Sequence, residues 1–298
     1  MRPVGRITLA LAAALTPAPL AAQAFCSAPH SSPVLAQSGS VRTLPPGQGW
    51  VQLTAFGQRT DEFFNAAGDA QPLLADGEAL TTSLFLTAAA GVLPGVDVWA
   101  QLPMHRLRYD DLTGARSSTG FGDVRIAARV SAAVAGFEGL PLAVRAGAKL
   151  PGSRFPVDAT ILPLTEGQRD WELSLETGYA SAQRPIYVIA WVGHRWRTEN
   201  ERVARKPGDE RFAHLALGGS LDALRWEVVI EGLWAEPPRQ QGVTLEASRR
   251  QLIQLQPTVG WQAGPGRLNV GGQLGLAGRN LAAAPGLQIG YLLTWDVH

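Results

Sequence analysis

Charged side chains recur at a spacing of four residues in this chain: Arg125 and Arg129, Arg145 and Lys149, Glu172 and Glu176, Glu227 and Glu231. Side chains of a strand alternate between two faces, so residues four apart share one. Asp97, Gln101, Asp123, Gln254, Gln256, Asn269 and Gln273 extend the same polar set. Two chemistries are open to it. Opposite charges on neighbouring antiparallel strands come within about 5 Å, so Arg145 or Lys149 can pair with Glu172 or Glu176 and brace an interior. The same basic and acidic strips can orient a polar solute moving between them. Bracing is the preferred reading, and the two roles can coexist.

Other chemistry finds little support. His30, His105, His194, His214 and His298 are isolated from one another and Cys26 is the only cysteine, so no metal-ligand spacing exists. No metal or other cofactor is expected. Gly120 to Gly122 precedes no helix and is not a phosphate loop. There is no Gly-x-Ser-x-Gly elbow. A barrel hydrolase would need a Ser–His pair on adjacent strands, and His194 with Ser174 is the nearest candidate. The chain is therefore read as a non-enzyme, with an outer-membrane hydrolase as a lesser alternative.

Period-two segments must position the polar set. They span about 49–58, 79–90, 96–107, 121–133, 140–150, 171–181, 186–197, 212–221, 225–235, 251–261, 267–277 and 286–297. Each is near the roughly 9–11 residues with which a tilted strand crosses a bilayer. Val124, Ile126, Ala128 and Val130 oppose Asp123, Arg125 and Arg129; Trp226, Val228, Ile230 and Trp234 oppose Glu227 and Glu231. The segment 186–197 has apolar residues on both faces, which leaves its facing open. Pro257 inside a segment suggests a bulge or a membrane exit.

Short connections with Gly and Pro (Gly91 to Gly95, Ala135 to Gly139, Ala182 to Pro185, Asp222 to Leu224, Gln262 to Gly266) alternate with longer polar ones at 59–78, 108–120, 151–170, 198–211, 236–250 and 278–285. Such sorting belongs to outer-membrane barrels with periplasmic turns and external loops. A soluble sandwich has no reason for it. Trp171, Tyr179, Trp226, Trp234, Trp261, Tyr291 and Trp295 lie near the ends of apolar faces, as membrane-interface aromatics do. The expected fold is all-β: a closed antiparallel transmembrane β-barrel of about twelve strands over residues 48–298, with the polar set lining its pore.

Composition agrees. Only 17% of the 298 residues are charged, against about 25% in soluble chains. Arg2 and Arg6, the apolar run Ile7 to Leu15 and Ala22-Gln23-Ala24 read as a secretory signal over residues 1–24. Removing it takes the net charge from +1 to −1, so no charge argument for nucleic acid survives. Residues 25–47 read as a flexible periplasmic lead-in or a partial plug. Outer-membrane lipid, a small-molecule solute and the barrel-insertion machinery of a Gram-negative cell are the expected partners.

The stretch Ala90 to Pro103 (AGVLPGVDVWAQLP), the element Gly120-Phe121-Gly122-Asp123-Val124 and the first loop Phe63 to Leu74 resemble a group of outer-membrane transporter barrels. That group is associated by name with the meta-cleavage pathway of phenol degradation. The resemblance extends loosely over residues 48–298. It implies a channel or uptake barrel for small solutes, aromatic or hydrophobic compounds among them. A structural or surface-binding barrel without transport is the alternative.

Overall fold

The computed structural model describes residues 43–158, 160–181, 183 and 185–296. The signal expected over 1–24 and most of the lead-in lie outside the described residues. The strands are β1 (Gln48–Thr60), β2 (Glu78–Leu93), β3 (Val96–Asp111), β4 (Gly114–Phe121 continued by Val124–Ser131), β5 (Leu142–Leu150), β6 (Asp170–Ala180), β7 (Ile186–Arg197), β8 (Glu210–Leu221), β9 (Leu224–Ala235), β10 (Gln251–Ala263), β11 (Gly266–Arg279) and β12 (Gly286–Asp296). Thirteen hydrogen-bonded segments form the sheet. Two are halves of β4, so the barrel has 12 strands. Each strand pairs antiparallel with the next, and β12 closes on β1 from Gln48 opposite Asp296 to Gln58 opposite Gly286. Closure leaves no unpaired sheet edge in lipid, as a membrane-spanning sheet requires.

Alternation sorts the two surfaces. On β1, Gln52, Thr54, Phe56 and Gln58 are buried while Leu53 is exposed; on β2, Thr81, Ser83, Phe85 and Thr87 are buried while Leu80, Leu84 and Leu86 are exposed. The outer surface is an apolar band whose partner is hydrocarbon. No helix among the described residues is long and apolar enough to cross a membrane. A charge in mid-band must be desolvated. Leu215→Arg, on the outer face of β8, is expected to cost ~2–4 kcal/mol. Denaturant unfolding of the barrel refolded in vesicles measures this, and a change within error would place Leu215 away from lipid.

The strands depart from the sequence pattern, or complete it, in three places. First, residues 108–120 are not a loose loop. β3 and β4 run on as a hairpin turning at Leu112 and Thr113, with Thr113 N donating to Asp111 Oδ1 at 2.8 Å. Arg106, Arg108, Ser117 and Thr119 leave its outer face polar while Leu107 and Tyr109 are buried on the inner one, so the apolar-outward alternation of the other strands is reversed here. At 16 residues β3 outruns the bilayer. Second, the facing of β7 is settled: Tyr187, Ile189, Trp191, Arg195 and Arg197 point inward. Its inner apolar residues pack with Phe212, Ala216 and Val229 across β8 and β9. Third, Pro257 lies mid-strand on the outer face. The β10–β11 ladder skips Gln256 and Pro257 and shifts register between Ile253 and Gln254. A residue without N–H cannot serve that ladder.

The loops are knitted outside the barrel. Glu62–Phe64 pairs with Ala70–Pro72 and with Leu281–Ala282. Arg205–Lys206 pairs with Arg239–Gln240, which pairs with Val243–Thr244. The connection from β5 to β6 behaves differently, and it turns into the lumen.

Candidate functional site

At the external end, the segment between β5 and β6 crosses the mouth. Leu162 packs on Leu73, Ala79, Leu107 and Tyr109, giving the segment an apolar foot. Glu166 then meets Lys149 and Arg197, with Arg250 at 3.8 Å. The Thr165 hydroxyl donates to Asp123, and Glu166 N donates to Asp123 Oδ2 at 3.1 Å. Asp123 can do this because β4 breaks at Gly122. A Cβ at Gly122 would lie 2.3 Å from His105 Nε2, and one on Gly152 would lie 1.9 Å from the Gly122 carbonyl. Only glycines allow this crossing of loop and wall. Burial alone would raise the Glu166 carboxyl, but Arg197, Lys149 and Arg250 outweigh it and hold it well below the usual carboxylate range.

Below Glu166 the wall is a network of buried ion pairs. Asp170 meets Lys149 at 2.7 Å and Arg197 at 3.2 Å. Glu210 meets Arg195 at 2.5 Å and both Arg197 and Arg250 at 2.8 Å. Glu172 meets Arg195 at 2.9 Å. Further down, Arg129 grips Asp97 through two bonds of 2.6 and 3.2 Å and reaches Glu176 at 3.4 Å, which also takes Arg145. What remains open among these groups is a cavity of about 40 Å³.

Every residue expected to line a pore faces inward. Arg145 pairs with Glu176, as one of the expected alternatives had it. Lys149 does not meet Glu172 or Glu176: it turns to Asp123, Glu166 and Asp170. Glu231 is wholly buried and accepts from Gln254 at 2.5 Å and Gln256 at 2.9 Å, while Gln273 donates to Gln254. Gln101 donates to Thr87 at 3.1 Å. Glu227 accepts from the Tyr187 hydroxyl at 2.7 Å. Arg125 lines the small external cavity, and Asn269 lines a larger one near the periplasm.

Periplasmic to the network the lumen widens. One cavity of about 250 Å³ is bounded by β7 to β12 and β1, where Gly260, Gly271 and Gly290 carry no side chain into it. A second, of about 340 Å³, lies against Trp50, Trp99, Arg129 and Leu292. Leu44, just ahead of β1, borders it and donates its N–H to Asp97 Oδ2 at 3.0 Å.

The interface aromatics expected from sequence all lie on the outer face. Trp171 and Trp234 stand near the external ends, with Trp196 beside Trp171. Tyr179, Trp226, Trp261, Tyr291 and Trp295 stand near the periplasmic ends. Sequence reasoning missed Glu166, Asp170, Arg195, Arg197, Glu210 and Arg250, which make the external network. The one signal for Arg195 and Arg197 was their shared parity, masked by the apolar residues on both faces of β7.

His194 and Ser174 do not meet. Gly193 stands opposite Ser174, so Ser174 is inside while His194 is outside, its ring 4.7 Å from that of Trp196. A different Ser–His contact exists: Ser83 Oγ lies 2.7 Å from His105 Nδ1, facing the 40 Å³ cavity. That space is too small for an ester substrate. Among the described residues no group of three His, Cys, Asp or Glu could hold a metal ion.

The fold is that of an outer-membrane barrel. Superposition on the COG4313 outer membrane channel from Pseudomonas putida F1 gives a TM-score of 0.71 over 86% of this chain and 98% of that one, at 16% identity. The translocator domain of the autotransporter NalP from Neisseria meningitidis gives 0.51 over 88% and 92%, at 11% identity. At such identities the likeness is one of fold. No family model matches the chain, and no curated protein matches its sequence. The closed barrel with its apolar outer band places the protein in the outer membrane.

Proposed function

We propose that the chain is a passive outer-membrane channel for small solutes, gated at its external end. The observation that carries this reading is the asymmetry of the lumen. Open cavities of about 250 and 340 Å³ lie on the periplasmic side. The external side is closed by a connecting segment in addition to the wall. The segment belongs to no strand of the closed ladder, so it can leave its side-chain holds while the wall stays paired. The aromatic walls at Trp50, Trp99 and Tyr187 favour solutes with an apolar body, in keeping with the resemblance to aromatic-compound transporters. We further read residues 1–24 as a leader removed on export and residues 25–47 as a lead-in able to occlude the periplasmic mouth.

A second reading is a bracing barrel without transport, favoured by the continuous ion-pair network above the cavities. Swelling of vesicles containing the refolded mature chain separates the two. A channel admits a small sugar faster than empty vesicles do, and admits it faster still in Glu166→Ala. Rates equal to empty vesicles for both proteins would rule out the channel.

A further inference from the structure

The cations of the external network meet carboxylates. Two luminal cations nearer the periplasm do not: neither Arg225 on β9 nor Arg267 on β11 has a carboxylate oxygen within 4 Å among the described residues. They flank β10, where Arg225 stands opposite Gly260, Gly260 opposite Asn269, and Arg267 opposite Gln262. Gly260 puts nothing between them. A Cβ there would lie 2.3 Å from Asn269 Oδ1 and 3.3 Å from Arg267 Cδ. Asn269 Nδ2 and Arg267 Nε are buried donors without an acceptor among the described residues. Buried donors are rarely left so, and an unfilled one points to a missing acceptor.

We propose that Arg225, Arg267 and Asn269 form the anion end of a binding site for a small monocarboxylate with an apolar body. Both arginines border both periplasmic-side cavities, so an anion between them is reached from either. A guanidinium fork matches the two oxygens of a carboxylate. Trp50, Trp99 and Leu292 supply an apolar wall on one side and Tyr187 on the other. The Glu227 carboxylate in the same cavity offsets one of the two guanidinium charges, so the site matches a monoanion better than a dianion. The chain ahead of β1 cannot supply a carboxylate side chain, because residues 1–47 contain no Asp or Glu. As a statement about the transported solute, the site rests on the channel reading; as a binding site it does not.

The test is titration of the refolded mature chain with benzoate, benzamide and inorganic phosphate, followed by calorimetry. Benzoate is expected to bind saturably. Benzamide, Arg225→Gln and Arg267→Gln should each lose about tenfold or more in affinity, as expected when charged hydrogen bonds are removed. Equal binding of benzoate and benzamide overturns the site, and that comparison needs no variant to fold. Phosphate binding as tight as benzoate overturns the carboxylate class. Unchanged benzoate binding by the folded double variant overturns the residue assignment. A protein that swells vesicles but ignores benzoate refutes the site alone. One that binds benzoate but admits no solute refutes the channel alone.

Discussion

Glu166→Ala raises single-channel conductance several-fold over the wild type in planar bilayers. The carboxylate ties the crossing segment to Lys149, Arg197 and Arg250. Its loss leaves Leu162, the Thr165–Asp123 bond and two bonds made by the backbone of Glu166, to Asp123 and from Asn200, as the remaining holds. The wall itself stays intact, because Arg197 keeps Asp170 and Glu210 and Lys149 keeps Asp170 and Asp123. The pH dependence has a definite sign. Glu166 is held below its ordinary value of about 4.3, so its hold is complete above that value and is lost only as pH falls through the depressed one. The Glu166 hold is therefore intact from neutral pH to about 4.5 and fails only in stronger acid. Asp123, pushed up by burial, protonates first in both proteins, and only the later rise in conductance is missing from Glu166→Ala. Conductance equal in the two proteins at neutral pH would show that the segment is not the gate.

Glu210→Ala is expected to destabilise the barrel by ~3–5 kcal/mol, the usual cost of breaking a buried ion pair from one side. Glu210 is 1% exposed and is met by Arg195, Arg197 and Arg250. Removing it leaves Arg195 with Glu172, while Arg250 keeps only the longer contact to Glu166. Arg59→Ala is the contrast. Its pair with Glu78 is as short, at 2.5 Å, but the side chains are 71% and 40% exposed, so its loss costs about 1 kcal/mol or less. Unfolding of both variants in vesicles, at one pH and salt, gives the comparison. Similar costs would mean the lumen is wet enough to screen the network.

These effects show what the sequence made legible. Alternation at Val124 to Val130 and at Trp226 to Trp234 exposes two faces, and connection lengths then require a membrane barrel. That argument depends only on period and length, both local properties. The inward set was readable for the same reason. The partners were not: Lys149 was expected near Glu172 or Glu176, yet Asp123, Glu166 and Asp170 take it. Glu166 lies in a connection with no period, so nothing local says that it turns inward. The hairpin at 106–119 was missed because its outer face meets water, and its buried Leu107 and Tyr109 lie on the inner face, the reverse of the lipid-facing pattern. Ile189 and Trp191 obscured the facing of β7 because the lumen wall carries an apolar cluster of its own.

In the proposed channel the segment between β5 and β6 is the external gate, and the lumen widens behind it toward the periplasm. Thr165 and Asp123 already touch through their side chains, so a cysteine at each position, in a Cys26→Ser background, can pin the segment by a disulfide. Current through a single reconstituted barrel is then recorded under oxidant and again under reductant. A closed state is expected when oxidised and repeated openings when reduced, reversibly in the same channel. Current that is indifferent to the redox state would show that the segment is not the gate.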